Sequence, residues 1–363
     1  MSARSSAVPT RELHLLLPGD PRTRTGGYLY DRRIVEGLRA RGWAVTVHAL
    51  DASFPHPGRA ALDTADRTLA MLPEGSLAVI DGLALGAMPR EASAHRDRLR
   101  LIGLVHHPLA EETGLEPARA VELAASERAA LAATRRIIVT SHTTAAGLAT
   151  YGVPREAVGV VEPGTDPAPL ARGTADPARH GLALLSVGAI TPRKGHEVLI
   201  EALARLRGAA WHLVCAGAFD RSPDTTSRLR ARVAALGLDA RVDLPGEIDE
   251  SALASHYDRA DVFVLASWHE GYGMALAEAL ARGLPVVSTR AGAIPSTVPA
   301  DAGVLVPPGD VGALADALER VLTDSALRSR LRAGARAHRA RLPTWDEASA
   351  HFEAELDIVA APR

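Results

Sequence analysis

The chain has 363 residues, with 41 lysines and arginines against 43 aspartates and glutamates, a net charge of −2 and a pI near 6.7. That balance supplies no basic field for nucleic acid or an anionic membrane, and a single cysteine, Cys215, excludes an intrachain disulfide framework or a cysteine-rich zinc site. Hydrophobic residues at 47% are ample for a packed core, and the length predicts two domains.

Apolar runs alternate along the chain with amphipathic stretches. Leu13 to Leu17 reads as the first strand, followed by a helix over Tyr28 to Arg41 that Gly42 terminates. Val45–Leu50, Leu77–Ile80, Leu101–Val105, Ile137–Thr140 and Val158–Val161 read as further strands, with a helix predicted over Pro117 to Ala133. From Asp166 to Gly181 the text turns to Pro, Gly, Ala and Arg without an apolar period, and reads as a linker.

The alternation then restarts, with strands predicted at Leu182–Val187, Trp211–Cys215, Arg241–Leu244, Val262–Leu265, Pro285–Ser288 and Val304–Val306. Helices are expected near Lys194–Arg207, Ser222–Leu236, Ser251–Tyr257, Met274–Arg282 and Asp310–Thr323, and a last one over Trp345–Ile358. Buried, non-alternating strands joined by helices indicate parallel sheets covered on both faces. The expected architecture is α/β, with two Rossmann-like doubly wound domains facing a central cleft. The domains are placed at 1–170 and 182–343, with the linker at 171–181 and a C-terminal helix in 344–363 packing back on the first domain. Ligands of such sheets bind at the carboxyl ends of the strands.

No apolar run approaches the roughly 18–20 residues of a membrane span. Residues Met1 to Thr10 hold no signal-like apolar core, and without asparagine there is no N-glycosylation site. A soluble, cytoplasmic protein is expected. Arg128 to Arg136 is the one hint of peripheral membrane contact, but its Ala-rich face is small.

Every basic residue except Lys194 is arginine, and asparagine and glutamine are both absent. Drift of lysine codons to arginine in a GC-rich genome accounts for the bias. It has no reason to spare one position, so Lys194 is singled out.

The most informative stretch is Ala266 to Gly283, which follows an apolar strand and opens a helix. Gly271 and Gly273 flank Tyr272, so the backbone there is able to approach a ligand closely. The helix starting near Met274 presents its positive end to an anion. Glu270 in the loop and Glu278 on the helix are carboxylates suited to accept hydrogen bonds from the vicinal hydroxyls of a sugar. Arg193 and Lys194 lie together at another helix start, where the dipole disfavours cations unless an anion joins them.

Glu270 and Glu278, spaced around the Gly-Tyr-Gly turn, resemble the paired-glutamate motif of retaining family-4 glycosyltransferases, which have the GT-B fold. The resemblance covers nearly the whole chain. Gly26-Gly27 is similar to the family's N-domain glycine loop, and Ser186 to Leu203 to its phosphate-contacting loop and helix. The segments LPVVSTRAGAIPSTV and AGVLVPPGD are similar to its closing C-domain stretches.

The resemblance implies that Glu270 holds hydroxyls of the donor sugar, Glu278 holds the ribose, and backbone from Gly271 through Tyr272 and Gly273 to Met274 meets the sugar and distal phosphate. It implies that Lys194 pairs with the diphosphate, as charge develops there when the glycosidic bond breaks. The family's arginine after the first glycine of that loop is Ala189 here, and Arg193 stands ready to replace its charge. His106, at the end of a strand, matches the histidine that reaches the donor sugar. His107 and Glu111 are acceptor-side candidates, Glu111 and Glu112 being alternatively a solvated helix start.

There is no Asp-x-Asp, no His ligand spacing and no Gly-x-Ser-x-Gly, so neither a metal nor a cofactor is expected. The donor implied is a UDP-, GDP- or other nucleoside-diphosphate sugar. The family's front-face mechanism, in which the leaving phosphate takes the acceptor proton, needs no enzymic nucleophile. A nucleotide-sugar epimerase of the same architecture and a non-catalytic sugar-nucleotide sensor are the competing readings. The acceptor, a small molecule or lipid, is not identified by the loops near Pro18–Gly26, Asp51–Arg59 and Pro108–Leu115.

Overall fold

The computed structural model describes residues 11–361, so the reading of Met1 to Thr10 lies outside the described residues. The chain divides into two units. One runs to Gly164 and takes in the segment from Thr344 onward; the other spans Thr165–Pro343.

The first unit holds a six-stranded sheet of β1 (Arg11–Pro18), β2 (Trp43–Leu50), β3 (Leu77–Asp81), β4 (Arg100–Val105), β5 (Arg136–Val139) and β6 (Val158–Val160), in the order β2-β1-β3-β4-β5-β6. All its pairings are parallel. The helix Gly26–Ala40 follows β1 and buries Tyr30, Ile34, Val35 and Leu38. The helix Trp345–Ala360 returns the chain to this unit. Thr344 starts it with a capping box, the Thr344 hydroxyl accepting from Glu347 N at 3.2 Å while Glu347 Oε2 accepts from Thr344 N at 2.8 Å. It buries Phe352 and Leu356, and Glu355 accepts from Arg136 Nε at 2.5 Å.

The second unit repeats the plan with β7 (Leu182–Val187), β8 (Trp211–Ala216), β9 (Val242–Gly246), β10 (Val262–Leu265), β11 (Val286–Thr289) and β12 (Gly303–Val306). The order is β12-β11-β10-β7-β8-β9, again parallel. β10 is buried at every residue, because its sheet is covered on both faces: Val262 and Val264 belong to one core, Phe263 and Leu265 to the other. An unbroken apolar run is therefore what the sequence shows.

The twelve expected strands form within a residue or two of their predicted bounds. The helix expected from Lys194 begins instead at His196, after a 3₁₀ turn over Pro192–Lys194. Helices at Arg59–Met71 and Pro89–His95 fill gaps between strands where helices were expected without bounds, and Ser325–His338 was not anticipated.

The stretch 171–181, read as a linker, is instead tied into the second unit. Ala171 N donates to Arg282 O at 2.9 Å, Arg172 Nε to Asp258 Oδ2 at 2.8 Å, and Thr174 Oγ1 to Asp261 Oδ2 at 2.5 Å. Polar residues that suggested a solvated connector are spent on these partners.

Candidate functional site

In the second sheet β7 and β10 are neighbours, but β8 and β9 lie to one side of them and β11 and β12 to the other. The chain leaves these two strands in opposite directions, and such a switch point is where open α/β sheets bind ligands. The loops after β7 and β10 meet there. Gly195 permits the meeting: at φ 65°, a Cβ on it would overlap the Ala266 carbonyl oxygen. Trp268 N donates to Arg193 O at 2.8 Å, and Arg193 Nη1 to His269 O at 3.1 Å.

These backbone ties bring three of the predicted residues together. Lys194 Nζ lies 2.6 Å from Glu270 Oε1, and Arg193 Nη1 is 3.7 Å from Glu270 Oε2. Ser267 Oγ also donates to Glu270 Oε1, at 2.6 Å. Glu270 is only 5% exposed. Burial by itself would raise its carboxyl, yet the charges of Lys194 and Arg193 and the hydrogen bonds from Lys194 and Ser267 outweigh that and lower it to about 2. Lys194 also acts on His196, the buried first residue of the next helix. Burial and the ammonium together bring that imidazole down to about 4, so it stays neutral.

The backbone of the Glu270 loop is pinned by the segment that follows β11. Glu270 O accepts from Ala293 N at 2.9 Å, and Tyr272 O accepts from Thr297 Oγ1 at 2.6 Å. Gly292 lies so close that any side chain there would run into the Glu270 backbone. Gly271 is partly exposed and Tyr272 and Gly273 are buried, with Gly273 as the N-cap of the helix Met274–Ala281. Glu278 sits on this helix with a different partner, accepting from Tyr257 Oη at 2.9 Å. Burial raises its carboxyl against the pull of that hydrogen bond and of Arg282.

In the first unit the helix Gly26–Ala40 begins at the Gly26-Gly27 pair, and the His106 ring stands about 3.5 Å from where a Gly27 Cβ would be. His106 Nε2 is 3.0 Å from Asp31 Oδ1 and 3.6 Å from Asp81 Oδ2. Burial alone would lower the imidazolium, but the charge and hydrogen bond of Asp31 and the charge of Asp81 raise it instead. Burial and the Asp31 charge push Asp81 up to about 7. The three side chains have the composition of a cation site, yet their facing atoms are spent on one another.

His107 is partly exposed and Glu111 is exposed, in a 3₁₀ turn over Leu109–Glu111. That turn is anchored by Glu127, whose Oε2 accepts from Leu109 N at 2.9 Å and whose carboxyl burial pushes up to about 7. Cys215 is fully buried and its thiol pushed up to about 12 by burial, so it is no nucleophile.

Sequence reasoning missed Asp31, Asp81, Ser267 and Glu127. Asp31 and Glu127 did leave a signal: each is a carboxylate on the buried face of its helix. Ser267 left none, because its role depends on a rotamer.

Residues 178–338 match the family described as Glycosyl transferases group 1, and residues 30–169 match Glycosyltransferase Family 4. A D-inositol 3-phosphate glycosyltransferase of Xylanimonas cellulosilytica is 36% identical over 224 residues, covering 58% of this chain and 52% of that protein. The chain thus spans about half the length of the curated relatives it matches. Sucrose-phosphate synthase from Thermosynechococcus elongatus superposes with a TM-score of 0.82 at 24% identity, over 96% of this chain and 99% of its own. Anabaena HepE, solved in complex with UDP and glucose, gives 0.76 at 18% identity, over 96% and 100%. Both share the two-domain GT-B fold, and among the described residues no helix is long and apolar enough to cross a membrane. With both halves matched and the fold in common, the chain belongs to the family-4 glycosyltransferases.

Proposed function

We propose that the chain is a retaining, metal-independent glycosyltransferase of the cytoplasm, moving a hexosyl unit from a nucleoside-diphosphate sugar to a hydroxyl of a small-molecule or lipid acceptor. The observation that carries this reading is the Lys194–Glu270 contact beside the start of the helix Met274–Ala281. An ammonium and a carboxylate stand side by side, as the phosphates and hydroxyls of one nucleotide sugar require. In this reading Lys194 and Arg193 meet the diphosphate, and their charge is worth most as the leaving group becomes more negative. Glu270 accepts hydroxyls of the sugar, the backbone of Gly271 through Met274 approaches the donor, and Glu278 takes the ribose.

The acceptor oxygen attacks the anomeric carbon as the bond to the diphosphate breaks, and the departing phosphate oxygen takes the acceptor's proton. Attack on the face that the diphosphate leaves keeps the anomeric configuration. HepE, solved with UDP and glucose, supports a nucleotide-sugar donor. The name of the Xylanimonas relative makes D-inositol 3-phosphate the first acceptor to try, with His107 and Glu111 as the residues expected near it.

Thermal-shift screening of UDP, GDP and ADP and their sugars identifies the donor without knowledge of the acceptor. With the donor known, Glu270→Ala is expected to lower turnover at least about 100-fold with the fold intact. Unchanged turnover removes Glu270 from the reaction, and NMR of a product with inverted anomeric configuration ends the retaining assignment.

A further inference from the structure

His106 is held by two carboxylates that lie deeper than it does. Asp31, on the helix after β1, is 2% exposed and its Oδ1 is 3.0 Å from Nε2; Asp81, the last residue of β3, is 4% exposed and its Oδ2 is 3.6 Å from the same nitrogen. The other Asp81 oxygen is used locally, accepting from Leu83 N at 2.9 Å. An aspartate on the buried face of a helix, beside Ile34, Val35 and Leu38, loses hydration and needs a partner. The cluster also lies at the switch point of the first sheet, where β2 flanks β1 on one side and β3 on the other.

We propose that Asp31 is the positioning residue of His106. It takes the Nε2 proton in a hydrogen bond and holds the ring above Gly27. That leaves Nδ1 as the ring nitrogen open to a substrate, with the Asp81 carboxyl as a second group 3.6 Å from Nε2. The other titratable group facing the ring is Tyr30, whose edge packs at 5.2 Å between centroids and whose hydroxyl is committed to Val161 O. His106 thus acts as a fixed hydrogen-bond donor rather than as a base. Only the identity of its substrate, the donor sugar, rests on the glycosyltransferase reading.

The sign follows from the surroundings. Asp31 supplies the opposing charge and the bond that raise the imidazolium against burial; without them burial prevails and the ring loses its proton at lower pH. Protein labelled with ¹⁵N-histidine, with His106→Gln to assign the resonance, reports that titration directly. In Asp31→Asn, which keeps the side chain's shape, the His106 titration is expected at least about 1 pH unit below wild type. The alkaline limb of UDP-glucose turnover should move with it, and kcat should fall about 10-fold or more while KM changes little. Asp81→Asn, which leaves the Asp31 bond in place, should move both in the same direction by less, and serves if Asp31→Asn does not fold.

Titration and pH profile of Asp31→Asn equal to wild type overturn the proposal. So does a shift of the wild-type His106 resonance on adding equimolar zinc or manganese, which would make the cluster a cation site. If wild type turns over no nucleotide sugar, the functional reading fails, and the histidine titration still decides whether Asp31 tethers the ring.

Discussion

Lys194 Nζ lies 2.6 Å from Glu270 Oε1 across 76 residues of sequence, and Ser267 Oγ reaches the same oxygen at the same distance. With Oε1 doubly bonded and Oε2 3.7 Å from Arg193, the carboxylate is fixed in one orientation in a buried site. The chain's only lysine is therefore half of a largely enclosed ion pair with Glu270.

A planar guanidinium does not replace that ammonium, which has to fit beside Gly188 and still reach Oε1. Lys194→Met is expected to weaken UDP binding by about 1–3 kcal/mol, the value of a charge-assisted hydrogen bond. Lys194→Arg should recover only part of it. Calorimetry giving wild-type affinity for the Met variant would take Lys194 out of the phosphate site.

The Glu270 carboxyl, lowered to about 2 in the folded chain against about 4.5 unfolded, ties stability to acid pH. A depressed carboxyl contributes stability that is fully present above the unfolded value and is lost as pH falls from there through about 2. The contribution is of order 3 kcal/mol. Unfolding followed by circular dichroism between pH 5 and 2 should show wild type losing stability more steeply than Glu270→Gln. Parallel curves for the two proteins would contradict the lowered carboxyl.

Gly195 has φ 65° with the Ala266 carbonyl against its missing side chain. Gly195→Ala brings both a left-handed penalty and a clash with backbone, so a loss of at least about 2 kcal/mol is expected. Because the displaced loop carries Lys194, nucleoside-diphosphate affinity should fall too. Wild-type melting temperature and affinity together would show that the two loops need no such close approach.

The metal-free reading predicts that dialysis against EDTA leaves turnover unchanged and that added magnesium does nothing further. Inhibition by EDTA that magnesium reverses would assign the diphosphate's charge to a cation rather than to Lys194, Arg193 and a helix terminus.

The strands and the Gly-Tyr-Gly turn with Glu270 were legible in the primary sequence, because each depends on residues near in sequence: an apolar run covered on both faces, and a glycine-bounded loop. Boundaries were less so. Pro192–Lys194 closes as a 3₁₀ turn because Gly195 is left-handed there, which delays the helix to His196. The stretch 171–181 looked like a connector by composition, and becomes part of a domain only because Asp258 and Asp261 are there to accept its hydrogen bonds.

Partners distant in sequence were decided by the order of strands. β10 beside β7 puts Glu270 against Lys194; β1, β3 and β4 in succession put Asp31, Asp81 and His106 on one another. Sheet order is set by the burial of whole faces, a property of no local segment, so no spacing rule points from His106 to Asp31. Local sequence thus established which groups this protein carries. Their pairing, and with it which carboxyl is lowered to about 2 and which is raised to about 7, came from long-range packing, because burial and neighbouring charge exist only once the sheets have closed.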